Sequence, residues 1–236
     1  TVSAQSVAKV NILAKEINVG VPVHFGPHDF NGACAGGSVI VDGGGFTLQN
    51  DSGSNAPINA FFGPVFQIQN VILANTSGPC VQLDEHATIR FSSGVVWANC
   101  GIGVQTRTGS TVTFLNNFTI TTSASQTAFI NAVEGAQVKF SSGLTATISG
   151  TPTYTWTIIV QTNATVVLSN LAWAGNVPTG RKFLVATGGV LSGAYANIPG
   201  SNNAQILSGG ILDDGTGSNT IMGMTPVPVL SLPACT

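Results

Sequence analysis

Side chains able to do acid–base chemistry are scarce here: nine Asp and Glu, seven Lys and Arg and three His in 236 residues. Glycoside hydrolysis needs two facing carboxylates, ~5 to 9.5 Å apart. The densest candidate group is Asp84, Glu85 and His86, to which Glu134 is related by the repeat described below. As catalytic groups, Asp84, Glu85 and Glu134 would define a polysaccharide depolymerase, either hydrolase or lyase. As solvated turn residues they would do no chemistry. The second reading is favoured, because Glu85 and Glu134 fall two repeats apart, ~10 Å at the spacing of stacked strands.

Arg90 and Lys139 fall on one outward column, also two repeats apart, and are the candidate contacts to an acidic sugar or a partner. His24-Phe-Gly-Pro-His28 sets two histidines four apart, but Gly26 and Pro27 break the helix that would align them, so no metal site is assigned. Gly43-Gly44-Gly45 follows a strand pattern with no helix after it, which excludes a phosphate or dinucleotide loop. Nucleophile elbows and zinc spacings are missing too, and no cofactor is expected.

Positioning these residues falls to an eleven-residue sentence written four times, as Val81–Phe91, Val104–Phe114, Ile130–Phe140 and Ile158–Leu168. Starts at 81, 104, 130 and 158 give offsets of 23, 26 and 28 residues. The sixth place is a turn residue (His86, Gly109, Gly135, Asn163). The ninth is β-branched (Ile89, Val112, Val138, Val166), and the eleventh is Phe, Phe, Phe, Leu. Repeats of this length mean a solenoid or a propeller, and a propeller blade needs about 40 residues. Short strands with almost no helix between them therefore predict a parallel β-helix, each coil stacking on the last.

Period-two alternation points the ninth and eleventh places inward. The eighth and tenth, Thr88/Arg90, Thr111/Thr113, Gln137/Lys139 and Thr165/Val167, point outward. Gly109, Gly135 and Asn163 suit a positive φ, and His86 departs from that rule. The outward Thr row would suit ice binding, but Gln137 interrupts it and the coil lengths vary.

Residues 38–212 are expected to form the β-helix, with 1–37 a cap or docking segment and 213–236 an extended tail. Val7, Val10, Leu13, Ala14 and Ile17 recur at helical steps, which predicts a short capping helix over residues 3–19. Such a cap would cover strand edges at the open end of a solenoid.

Apolar residues reach 43% and charged ones only 7%, against roughly a quarter in ordinary soluble proteins. Disorder is excluded by this balance. A formal charge of -2 gives no grip on phosphate backbones, so nucleic acid is not an expected partner. No apolar run reaches the ~18 residues that insert across a membrane. The opening residues show no secretion-signal pattern, and Thr1 fits either loss of an initiator Met or a processed precursor. Cys80 and Cys100 lie about one repeat apart; buried free thiols are expected, with a disulfide as the alternative. Sequons at Asn50, Asn75, Asn117 and Asn163 are weak signals in a chain this rich in Asn, Ser and Thr.

Glycine turn, small residue, then alternating Val and Phe: over residues 38–212 this pattern resembles right-handed β-helices of the pectin-lyase-like type, and more narrowly the β-helical proteins of bacteriophage tails and virions. That resemblance implies a homotrimer or other multimer in the virion. Its partners would be identical subunits, other virion proteins and a host-surface glycan. The expected function is structural or adhesive rather than enzymatic.

Overall fold

Seven in-register steps carry the chain from Ser38 through Val65, Thr88, Thr111, Gln137, Thr165 and Val190 to Ile211. The computed structural model describes residues 8–11, 16–18, 23–25, 38–50, 56–61, 65–123, 125–214 and 219–221. It is an all-β parallel solenoid whose strands fall into three columns, one per side of the coil.

Face A collects β1 (Ala8–Asn11), the first part of β4 (Ser38–Gln49), the start of β6 (Val65–Asp84), β7 (Thr88–Phe91), β9 (Thr111–Phe114), β13 (Gln137–Phe140), β16 (Thr165–Val167), β19 (Val190–Ser192) and β21 (Ile211–Asp213). Face B takes β2 (Glu16–Asn18), the rest of β4, the middle of β6, the start of β8 (Val95–Thr106), β10 (Phe118–Ile120), β14 (Thr145–Ile148) and β17 (Ala172–Gly175). Face C takes β3 (Val23–Phe25), β5 (Ile58–Phe61), the ends of β6 and β8, β12 (Ala128–Ala132), β15 (Thr153–Val160), β18 (Thr179–Val185) and β20 (Gln205–Ile206). β11 (Ser125–Gln126) pairs with the start of β15, and β22 (Asn219–Ile221) folds back antiparallel on β21. One 3-10 turn, Tyr195–Asn197, is the only helical element among the described residues.

Alternation does what the sequence predicts on face A. Phe66, Ile89, Val112, Val138, Val166 and Leu191 stand in one inward ladder, each 0% exposed. Ile68, Phe91, Phe114 and Phe140 form the next ladder. Phe114 stacks on Phe140 at 4.4 Å between ring centroids and 15° between planes, and Phe118 on Phe129 at 5.4 Å and 17°. Trp97 meets Phe91, Phe118 and Phe129 edge-on. These offset and edge contacts each add roughly 0.5–1.5 kcal/mol beyond burial.

The corners before β7, β9, β13 and β16 are two-residue turns with both central φ angles positive. The pairs are Glu85/His86 (55°, 65°), Thr108/Gly109 (49°, 68°), Glu134/Gly135 (56°, 74°) and Thr162/Asn163 (52°, 61°). Residue three onward donates back across the turn, as in Ala87 N–H to Asp84 O at 3.2 Å and Ser110 N–H to Arg107 O at 3.0 Å. This is the type I′ geometry. His86 is thus no exception, since it takes the same turn as the glycines. Its N–H reaches Thr108 O at 3.0 Å, as Gly109 N–H reaches Glu134 O at 2.9 Å, and these coil-to-coil bonds hold non-glycine residues in a costly conformation. The His86 ring lies over Gly109, where a Cβ would come within 2.9 Å of it.

The capping helix expected over residues 3–19 is not what the described residues of that stretch form. The described parts of that stretch are strands, with Ala8–Asn11 opposite Val39–Asp42 and Glu16–Asn18 opposite Thr47–Gln49. Ala-Lys-Val-Asn and Glu-Ile-Asn also alternate with period two, and β4 offers a row of backbone partners that an isolated helix lacks. His24 lies in β3, while His28, Cys34 and Cys235 fall outside the described residues.

Cys80 and Cys100 are not free thiols. They are disulfide-bonded, with Cα atoms 5.5 Å apart on adjacent coils, because Asn75 pairs with Cys100 and Pro79 with Ile102. Removing the link (Cys80→Ala with Cys100→Ala) opens a loop of 20 residues. Thermal and denaturant unfolding should show a loss of about 3 kcal/mol. An unchanged midpoint on full reduction would contradict the pairing.

Candidate functional site

The corner turns bring the candidate acids to one edge and hold two of them, Asp84 and Glu134, in structural contacts. Asp84 Oδ2 accepts from Arg107 Nη2 at 2.8 Å and from Gln82 Nε2 at 3.0 Å. Glu134 Oε2 accepts from the Thr108 hydroxyl at 3.1 Å. Thr108 itself stands in the turn between Glu85 and Glu134, so a neutral residue occupies the turn column between the two exposed acids, as the repeat predicts. Two clefts of about 400 Å³ occur near the C-terminal end, and neither is lined by Asp84, Glu85 or Glu134. No group of three or more metal-ligating side chains exists among the described residues.

Arg90 and Lys139 stand where the alternation places them, exposed on face A on either side of Thr113. Thr88, Thr111, Gln137 and Thr165 form the neighbouring outward row. Asn50 and Asn75 are 0% exposed, so neither sequon can accept a glycan in the folded chain. Asn117 and Asn163 are exposed, and Asn117 Oδ1 already accepts the Thr145 N–H at 2.8 Å.

Face B differs from the other two sides. Its outward residues Thr47, Ile72, Val96, Thr119 and Thr147 pair across consecutive coils, with Ala174 after them. Beside them run Gln49, Ala74, Thr145 and Ala172. From β4 to β17 none of the described residues on this face carries a charge, whereas face A shows Arg90 and Lys139 and face C shows Asp84, Arg181 and Lys182.

At the C-terminal end of face C, Arg181 and Lys182 in β18 sit beside a turn-rich segment, residues 194–204, that runs alongside the strand as an extra rung. Sequence reasoning passed over this region. Its signal was two adjacent cations in a chain where only 7% of residues are charged.

Compared with known proteins, the chain matches no family model, no curated protein and no solved structure. The class it defines is therefore set by its own geometry: a parallel β-solenoid with an apolar core and outward faces of unequal character.

Tyr154 is a second feature that the repeat pattern did not announce. It is 1% exposed, its hydroxyl has no partner among the described residues, and burial pushes its ionisation well above the ordinary value of 10.0. Tyr154→Phe removes an unsatisfied polar group at little change of shape, so unfolding midpoints should stay level or rise by about 1 kcal/mol. The wild type should also lose stability relative to the variant as pH climbs past 10.0, where only the unfolded chain ionises readily. A variant that melts markedly lower at neutral pH would show that the hydroxyl is in fact bonded.

Proposed function

We propose that this chain is a structural or adhesive building block, a rigid β-solenoid rod that works in several identical copies and catalyses no reaction. The observation that carries this reading is face B from β4 to β17, an uncharged stretch of Thr, Val, Ile and Ala that extends over successive coils. Identical copies repel wherever like charges meet, and a chargeless face removes that cost while offering apolar area to bury. A second copy of this chain is the occupant that such a face fits. The stack of in-register coils supplies stiffness, since bending it would break hydrogen bonds on all three sides together.

The finer reading rests on the pattern in residues 38–212. It is a right-handed β-helix of pectin-lyase-like type serving as a bacteriophage virion component: a tail spike, fibre or capsid-attached protein, assembled as a homotrimer. The ends, residues 1–37 and 213–236, would meet other virion proteins, and the exposed sides would meet a host-surface glycan. Enzymatic depolymerisation through Asp84, Glu85 or Glu134 is disfavoured by the Arg107 and Thr108 contacts that engage two of these acids.

Light scattering coupled to size exclusion should return a mass of three chains, and purified particles should contain the protein. A monomer at all concentrations would overturn the multimeric rod. Release of oligosaccharides from capsule or lipopolysaccharide, abolished by Glu134→Gln, would overturn the non-enzymatic reading.

A further inference from the structure

We infer that the cleft beside Arg181 binds the carboxylate of an acidic saccharide. One cleft of about 400 Å³ is lined by Arg181, Asn202, Asn203, Ala204 and Gln205. That volume lies within the range of small-molecule sites. Among the described residues no carboxylate lines it, and Arg181 and Lys182 have no ion-pair partner, unlike Arg107 with Asp84. In a chain with so few charges, a cation left unpaired at the rim of a cleft is available for an anion from outside.

The guanidinium is held ready. Its central carbon lies 4.6 Å from the centre of the Trp156 ring, and Nη1 donates to Gln205 Oε1 at 3.3 Å. Trp156 is itself 8% exposed, packed with Ala128 and Ile159, so it forms a fixed floor. The backbone is fixed as well. Thr157 Oγ1 donates to Pro199 O at 3.0 Å, with Arg181 O at 3.4 Å as the alternative acceptor for the same hydrogen, which sets β15 against β18 and the passing segment. Asn202 N–H reaches Gly180 O at 3.0 Å, and Gly180 N–H reaches the Ser201 hydroxyl at 3.0 Å. Gly180 is required there: its φ is 106°, and a Cβ would overlap the Tyr154 carbonyl.

A planar guanidinium with free donors matches a carboxylate edge to edge, and an ordered one gives up little entropy on binding. Asn202, Asn203 and Gln205 each carry both donors and acceptors, as sugar hydroxyls do. Together these favour a sugar acid over a bare anion, which would leave the amides unused. The proposal deepens the surface-binding part of the reading above, and it stands whether or not the chain forms a trimer.

Calorimetric titration of the intact protein with a glucuronate-containing tetrasaccharide, a neutral cellotetraose, and inorganic phosphate tests it. Binding of the acidic sugar alone is expected. Arg181→Gln should weaken it by roughly ten- to a hundredfold, and Asn203→Ala, which leaves the Trp156 stack untouched, by a smaller factor. Arg90→Gln with Lys139→Gln should leave it unchanged. Absence of acidic-sugar binding, equal binding of cellotetraose or phosphate, or a loss that follows the Arg90/Lys139 variant instead would each overturn the assignment. The oligomer mass, read on the same sample, reports separately on the multimeric rod.

Discussion

Everything in this molecule depends on keeping successive coils in register. Backbone hydrogen bonds run from coil to coil on three sides, and the corner turns join the same ladder through bonds such as Gly135 N–H to Thr162 O at 2.9 Å. A slip of one residue would turn the Val and Phe ladders out to solvent. The corners forbid it. Those before β7, β9, β13, β16 and β19 need two consecutive residues in the left-handed region, a conformation costing about 1–3 kcal/mol for a non-glycine residue. Thr108, Glu134, Thr162 and Thr187 accept that strain because the neighbouring coils leave no other backbone path.

Register then divides the side chains by task. The inward places are committed to packing: Phe91, Trp97, Phe114, Phe118, Phe129 and Phe140 form one aromatic column through the middle of the stack. Outward places are free to vary without endangering the fold, and the three faces have diverged. Face A carries isolated cations, face B none, and face C ends in a cation-lined cleft. Such a scaffold can present different surfaces to different partners while its core stays the same, so its function must be sought in what its sides touch.

Much of the fold was legible in the sequence. The ninth and eleventh places named the inward ladders residue by residue, and the outward column of Arg90, Thr113 and Lys139 followed from the same alternation. What was not legible came from pairings across coils. Ala8–Asn11 and Glu16–Asn18 fit helix and strand periods equally over so few residues, and only the open edge of β4 decides between them. His86 looked unfit for a positive φ because the bond from its N–H to Thr108 lies in the next coil. The Cys80–Cys100 link depends on a local register shift between Asn75 and Pro79 that no spacing reveals. The repeat put Glu85 and Glu134 in one turn column, but the engagement of Asp84 by Arg107 and of Glu134 by Thr108 needed side-chain geometry. The Arg181 cleft was invisible because it is built by a segment outside the repeat.

Division of labour among the faces is the claim with most at stake, and cryo-electron microscopy of the assembled protein tests it most directly. Density of a neighbouring copy is expected over Thr47, Ile72, Val96, Thr119 and Thr147, with the Arg181 cleft left open to solvent. A reconstruction in which face B is bare in every copy, or in which the contact runs through Arg90 and Lys139, would contradict it.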